Sequence, residues 1–211
     1  MKYTHVIWDW NGTLLDDVTW CMFCINTMLS KRSLTTLDSI PAYHSVFGFP
    51  VIDYYRRVGL DFEKEPFEVL AKEYMTLYHD SSNTMKLFSD TIYVLTKIKE
   101  AGIHQTILSA TESYTLSSQI SYYGISSFFE ELLGTSDIYA FGKTEIGKEY
   151  IKRVNPEKAV LIGDTIHDKE VADLLSIDCI LVSHGHQSRE TLSSSGAMVV
   201  GVLEEVLPLL L

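Results

Sequence analysis

Three residues suited to chemistry stand directly after short apolar runs of the sequence. Asp9, Ser109 and Asp164 each follow such a run. These runs are typical of strands that are buried on both faces of a parallel sheet. Because ligands bind beyond the carboxyl ends of parallel strands, we expect the three side chains to converge at one edge of the sheet.

Two carboxylates that arrive from separate strands predict a site for a divalent cation. Asp9 and Asp164 offer the oxygen ligands that Mg²⁺ takes in proteins. Asp168 stands one helical turn beyond Asp164. A solvent-exposed acidic helix face is the alternative interpretation of Asp164 and Asp168, but the preceding strand favours the cation site.

An anion site is predicted beside this cation. Gly12 permits a tight turn after Asp9, and Gly12 and Thr13 offer successive backbone N–H groups to an anion. A plain turn with an Asx cap is the alternative for this segment. Across the sheet edge, Ser109 and Ala110 offer a hydroxyl and the amide groups of a following helix.

Lys143 supplies a predicted positive charge for the same cavity. It follows Gly142 at the start of a predicted helix, from which a compact ammonium group could reach a phosphate. A solvated surface lysine is the alternative interpretation.

The composition limits the partners of this chain. Its 211 residues carry a formal net charge of −11, from 17 Lys and Arg against 28 Asp and Glu. Such a surface repels phosphate backbones and anionic lipid, so we expect neither nucleic acid nor a membrane as partner. No apolar stretch approaches the ~20 residues of a membrane span, and three cysteines are too few for a disulfide framework. We expect a cytoplasmic monomer or homodimer.

Apolar runs alternate with helical patterns over residues 1–15 and 86–211. Predicted helices over 89–101 and 112–123 each end at a glycine, Gly102 and Gly124. This alternation predicts an α/β core domain with a doubly wound parallel sheet.

Residues 16–85 have helical signals instead and predict a separate helical cap domain. Asp16 and Asp17 suit the start of a helix that runs to about Lys31, and the spacing of apolar residues over 67–78 gives one apolar helix face. An insertion after the first strand lies over the ligand-binding edge and can act as a lid.

The chain resembles the haloacid dehalogenase (HAD) superfamily in four motifs that occur in order. They are Asp9-x-Asn11-Gly12-Thr13-Leu14, the Ser109 strand end, Lys143, and Gly163-Asp164-Thr165-x-x-Asp168. The helical insertion is similar to the C1 cap of the phosphoglycolate-phosphatase-like branch.

The resemblance implies a role for each motif. Asp9 would be the nucleophile that forms an aspartyl-phosphate. The Asn11 backbone carbonyl and the Asp164 carboxylate would hold Mg²⁺ with Asp9, and Asp168 would be either a further ligand or a hydrogen-bonding partner of the ligands. Ser109 and Lys143 would bind the phosphoryl group. We therefore predict a Mg²⁺-dependent phosphatase of small phosphorylated metabolites, with phosphoglycolate as the first substrate that the resemblance suggests.

Asn11 departs from the pattern of the superfamily's phosphatases, which usually have a general acid and base, Asp, at this position. An amide cannot exchange a proton at neutral pH, and losing such catalysis costs ~10²–10⁴ in rate. Three hypotheses follow. Aryl and acyl phosphates, which have good leaving groups, would lose the least rate, and the aspartyl-phosphate intermediate would accumulate. His44 or His79 would replace the missing acid. A weakened phosphate-binding or interaction protein is the alternative function.

Two further motifs are assigned to structure. Cys21-x-x-Cys24 falls inside a predicted helix, where buried thiols behave as small apolar groups. His184 and His186 follow a strand end, but without a nearby acid or thiol in sequence we interpret them as loop residues. Trp10 is expected to pack in the core.

Overall fold

A six-stranded sheet, parallel throughout, forms the centre of the molecule in strand order β5-β4-β1-β6-β7-β8. The computed structural model describes residues 2–79, 85–136 and 143–211. The sheet strands are β1 (His5–Trp8), β4 (His104–Glu112), β5 (Glu131–Thr135), β6 (Ala159–Gly163), β7 (Asp178–Val182) and β8 (Met198–Val200). The α/β fold class is therefore confirmed.

A two-stranded antiparallel ribbon stands apart from this sheet. It pairs β2 (Leu15–Asp16) with β3 (Lys86–Leu87). The sequence analysis missed this ribbon, because two-residue strands carry no alternation of apolar and polar side chains. The ribbon brings the two ends of residues 17–85 together.

Helices cover both faces of the sheet and fill the segment between β2 and β3. The helices of that segment are α1 (Val18–Lys31), α2 (Ile40–Val46), α3 (Val51–Arg57) and α4 (Phe67–His79). The remaining helices are α5 (Thr91–Glu100), α6 (Ser113–Tyr122), α7 (Lys143–Val154), α8 (Ile166–Leu175), α9 (Arg189–Ser193) and α10 (Leu207–Leu210). Short 3₁₀ turns occur at Ser126–Phe128 and Leu203–Val206.

Strand β1 separates the two apolar clusters of the core. Val6 and Trp8 belong to the larger cluster, which continues into the helical segment α1–α4. Ile7 faces the opposite way, onto a smaller cluster with Leu108 and Leu175. The alternation of side chains along a strand explains this division.

Most predicted element ends agree with the structure. The helices that were predicted to stop at Gly102 and Gly124 end just before these residues, and both glycines have positive φ. Asp17 does cap α1 by position, but its side chain accepts no capping hydrogen bond. Strand β5 at the sheet edge was not predicted.

The helical segment is held together partly by charge. The Arg32 guanidinium on α1 contacts Glu65 at 2.6 Å and Glu73 on α4 at 2.6 Å. The division into core and cap domains at 15/16 and 85/86 stays a prediction.

Over the described residues, no helix combines the length and apolar character that a membrane crossing requires.

Candidate active site

Asp9 lies at the end of β1 and is largely buried. Its backbone N–H donates to the carbonyl of Ile162 on β6, which fixes the residue at the carboxyl edge of the sheet. The Lys143 ammonium donates to Asp9 Oδ1 at 2.5 Å. The strand end thus presents a carboxylate whose position is set from both sides.

Asp164 follows β6 directly and is fully buried. Its Oδ1 accepts from the Thr13 hydroxyl at 3.1 Å, and its Oδ2 accepts from the His186 backbone N–H at 2.6 Å. A Cβ at Gly12, whose φ is +71°, would collide with this carboxylate. Gly12 is therefore required both for the turn and for the close approach of Asp164.

Asp168 belongs to the first turn of α8. Its Oδ2 accepts from the Thr165 backbone and hydroxyl, forming a capping box, and its Oδ1 accepts from Lys143 at 2.6 Å. The spacing of Asp164 and Asp168 was interpreted as one side of a cation site rather than an exposed helix face. Both side chains are buried, so the exposed alternative is wrong.

The structure brings the three carboxylates together. One oxygen from each of Asp9, Asp164 and Asp168 lies within 4.8 Å of the others. Burial, reinforced by the neighbouring carboxylates, raises the pKa of Asp164 and of Asp9 despite Lys143 and His186 nearby. An oxygen-only, buried and electron-rich donor set fits a divalent cation such as Mg²⁺.

Lys143 is the first residue of α7 and is buried between two of these carboxylates. Burial alone would lower the pKa of this ammonium group, but Asp168 and Asp9 raise it above its ordinary value. The same ammonium keeps the pKa of Asp168 low against the effect of burial. The exposed-lysine alternative is therefore wrong, while Gly142 lies outside the described residues.

The Asn11 amide is fixed by its neighbours. Its Nδ2 donates to Asp17 Oδ2 at 2.7 Å and to the Tyr78 hydroxyl at 2.8 Å, while its Oδ1 accepts from Thr111 at 2.6 Å. Asp17 and Tyr78 belong to the helical segment, so Asn11 links the sheet edge to α1 and α4. The role of its backbone carbonyl as a metal ligand stays a prediction.

A buried ion pair between Asp17 and His186 was missed from the sequence. His186 Nε2 lies 3.1 Å from Asp17 Oδ1, and Cys21 Sγ lies 3.4 Å from the other oxygen. Burial opposes the charged imidazole, but Asp17 outweighs it and raises the pKa of His186 to about 9. The prediction that His186 has no acid or thiol partner is wrong, because the fold closes 169 positions of sequence.

The predicted amide cradle for phosphate is wrong at two places. The Gly12 N–H donates to Asp17 Oδ1 at 2.9 Å and the Thr13 N–H to the Trp10 carbonyl at 3.3 Å, so both serve the turn itself. Strand β4 runs past Ser109 and Ala110, and the following helix begins only at Ser113.

The first amides of α6 are also occupied. Glu112 caps this helix and accepts from the N–H groups of Tyr114 and Thr115 at 3.0 and 2.9 Å. Ser109 and Ala110 nonetheless line the cavity beside Asp9. Their contribution to phosphate binding stays a prediction that rests on the Ser109 hydroxyl.

One cavity of about 170 Å³ is lined by the site residues described above. The three carboxylates, Lys143 and aromatic residues of the helical segment line it. His44 and His79 do not line it, and His44 Nε2 lies 3.0 Å from the Gly185 carbonyl. The structure thus favours neither histidine as a replacement acid.

The structure places the remaining candidates in the core. Cys21 and Cys24 are buried free thiols, as predicted. Trp10 is fully buried, and its indole N–H donates to Gln119 at 2.8 Å. These residues support the walls of the site rather than its chemistry.

The sequence belongs to the family of haloacid dehalogenase-like hydrolases, which it matches over residues 6–182. It is 25% identical over 199 residues to the tyrosine-protein kinase PtkA of Mycobacterium tuberculosis, covering 92% of this chain and 67% of that protein. It is 23% identical over 202 residues to the phosphoglycolate phosphatase of Colwellia psychrerythraea, covering 90% and 89% of the two chains. The predicted resemblance is confirmed.

The fold is also that of a solved structure from the same family. A haloacid dehalogenase-like hydrolase of Streptococcus pneumoniae superposes with a TM-score of 0.84 at 19% identity, covering 99% of this chain and 98% of that one. The common architecture therefore extends over the helical segment as well as the sheet.

Proposed function

We propose that this protein is a Mg²⁺-dependent phosphatase that hydrolyses small phosphate monoesters through an aspartyl-phosphate. The observation that supports this most is the buried cluster of Asp9, Asp164 and Asp168 with Lys143 between two of the carboxylates. A cation held there would neutralise charge on the phosphate. Membership of a hydrolase family with phosphatase relatives supports the same activity.

The chain's own residues account for the transfer. An Asp9 carboxylate oxygen forms a bond to phosphorus as the bond from phosphorus to the ester oxygen breaks. Lys143 orients the Asp9 carboxylate and offers positive charge to the transferring group. Water then attacks the aspartyl-phosphate, which releases inorganic phosphate and restores Asp9.

Asn11 limits this mechanism. Its amide donates hydrogen bonds to Asp17 and Tyr78 and supplies no proton to the leaving oxygen. Substrates whose leaving group departs as a stable anion are therefore expected to react best; aryl phosphates release a phenolate, and acyl phosphates release a carboxylate. The relative from Colwellia makes phosphoglycolate the natural polar comparison.

A second candidate, a phosphate-binding or interaction protein with little turnover, is favoured by the same fixed amide. The test is hydrolysis of an aryl phosphate with and without Mg²⁺ by the parent chain, Asp9→Asn and the exposed control Asp61→Asn. We expect Mg²⁺-dependent turnover that Asp9→Asn abolishes and the control retains. Phosphate binding without turnover in the parent would support the second candidate and contradict the first.

A further inference from the structure

Aromatic side chains of the helical segment form much of the cavity wall near the carboxylates. Phe49 precedes α3, which contributes Tyr54 and Tyr55, while α4 contributes Tyr74 and Met75 along one helix face. Phe49 also stacks on His167, with ring centroids 4.7 Å apart. An organic group attached to a phosphate at Asp9 would therefore meet mostly carbon.

The basic side chains of the described lining already have partners, and His167 among them stacks on Phe49 and lies 3.5 Å from Glu170. Lys143 is bound by Asp9 and Asp168, and His186 is paired with Asp17. The part of the lining that comes from residues 47–78 contains no lysine or arginine. A ligand carboxylate there would lose its hydration without gaining a counterion, which is unfavourable.

Tyr54 presents its ring, and not its hydroxyl, to this cavity. Its ring is 2% exposed, it lines the cavity, and its buried hydroxyl has no hydrogen-bond partner. A buried hydroxyl without a partner costs free energy, so such groups are usually satisfied. The hydroxyl oxygen has almost no accessible surface, so a ligand in the cavity would meet the carbon atoms of this ring.

We propose that this cavity binds phosphate esters of aromatic or arylalkyl alcohols in preference to esters that carry a carboxylate. The proposal rests on the phosphatase function above and specifies its substrate class. A phenolate also leaves readily without the proton that Asn11 cannot supply.

Binding of non-hydrolysable phosphonates tests the ligand class without relying on turnover. We would titrate the parent chain, with Mg²⁺, with methylphosphonate, phenylphosphonate and phosphonoacetate by calorimetry. Burial of the ring predicts that phenylphosphonate binds about 10- to 100-fold tighter than methylphosphonate, and that phosphonoacetate gains nothing. Phosphonoacetate binding tightest, a ring that adds no affinity, or no phosphonate binding would overturn the proposal.

Matched variants locate the effect in the cavity. Met75→Lys places a cation in the wall and is expected to weaken phenylphosphonate and strengthen phosphonoacetate. Val69→Lys, on the exposed side of the same helix, is expected to change neither. Equal effects of the two lysine variants would contradict a role of this wall.

Hydrolysis separates the failure of this proposal from failure of the phosphatase function. Benzyl phosphate and ethyl phosphate both release an alkyl alcohol, so they differ mainly in the ring. We expect kcat/KM at least about tenfold higher for benzyl phosphate. Equal hydrolysis of both would overturn the substrate class while the phosphatase stands. No hydrolysis of either, with the phosphonate ranking intact, would overturn the phosphatase alone.

Discussion

Replacing Asn11 by the aspartate that the superfamily's phosphatases usually have should destabilise this protein. Asn11 Nδ2 lies 2.7 Å from Asp17 Oδ2, and the Asp17 carboxylate is buried and also accepts from the Tyr78 hydroxyl. In Asn11→Asp an oxygen takes the place of the donating nitrogen. Two carboxylates then face each other where one hydrogen bond existed.

The expected loss of stability is set by whichever of two outcomes requires less free energy. Two ionised carboxylates at this separation repel by about 6 kcal/mol at an effective dielectric constant of ~20. Keeping one of them protonated at pH 7 costs about 4 kcal/mol relative to an ordinary aspartate. The charged His186 beside Asp17 reduces the repulsion. We therefore expect the free energy of unfolding to fall by about 2–4 kcal/mol.

The assay is a double-mutant cycle in urea at pH 7, with Asn11→Asp, Asp17→Asn and the double variant. The double variant reverses the hydrogen bond, since an amide at 17 donates to a carboxylate at 11, and should recover at least about 1.5 kcal/mol. The new acid has a raised pKa in the folded state. Its penalty is therefore small below the unfolded pKa of ~3.9 and grows as the pH rises.

Activity provides the second readout of the same cycle. With a carboxyl group at position 11 and no opposing charge, we expect hydrolysis of alkyl phosphates to rise by about tenfold or more, and of aryl phosphates by less. An Asn11→Asp variant as stable as the parent at pH 7, with no coupling to position 17, would refute the reasoning.

Three further predictions concern the helical segment and the carboxylate cluster. Glu73→Gln should lower the free energy of unfolding, measured with urea, by about 1 kcal/mol or less at pH 7. Arg32 outweighs burial and lowers the pKa of Glu73, so this difference should disappear as the pH falls below the ordinary value of 4.5. Lys143→Met leaves two carboxylates without their cation, so metal-free protein should lose about 3–5 kcal/mol in denaturant unfolding, and hydrolysis of all phosphates should fall alike. Gly12→Ala should lose at least about 2 kcal/mol in thermal unfolding, from positive φ and the clash with Asp164, and should weaken Mg²⁺ binding measured by calorimetry.

Controls isolate the cause in each case. Gly196 also has positive φ, but nothing lies within 4 Å of an added Cβ, so Gly196→Ala reports backbone strain alone. An equal loss in both alanine variants would contradict the close approach of Asp164. Glu149→Gln, at an exposed position, is the reference for Glu73→Gln. The loss of stability in Glu73→Gln should exceed that of the reference above pH 4.5, and the excess should fade as the pH is lowered. Unchanged stability of Lys143→Met would show that the lysine does not neutralise the buried cluster.

The sheet was largely predictable because its central strands are continuous apolar runs. β1, β6 and β7 begin and end where the sequence changes from apolar to polar residues. β4 runs further than predicted, since its last residues are polar and pair with β5 after a shift in register. β5 itself lies at the sheet edge and reads Glu-Leu-Leu-Gly-Thr, without the alternation or length that identifies a strand.

The site was predictable where strand ends carry it and not where loops do. Asp9 and Asp164 follow adjacent parallel strands, so their convergence follows from topology. The contact of His186 with Asp17 joins the loops after β7 and β2, and no periodic pattern relates them. The sequence offered no signal for this contact, because β2 belongs to the two-stranded ribbon that was not predicted. The use of the turn's amides by Asp17 likewise depends on its side-chain rotamer.

The central claim is that Asp9 takes the phosphoryl group, and the mass of the protein tests it most directly. The chain would be mixed with an aryl phosphate and Mg²⁺, quenched in acid during turnover and measured intact, then digested to locate the change. The account predicts one added phosphoryl group on the peptide that contains Asp9, absent from Asp9→Asn. Steady hydrolysis with no phosphorylated chain at any quench time, or a phosphoryl group on another residue, would contradict it.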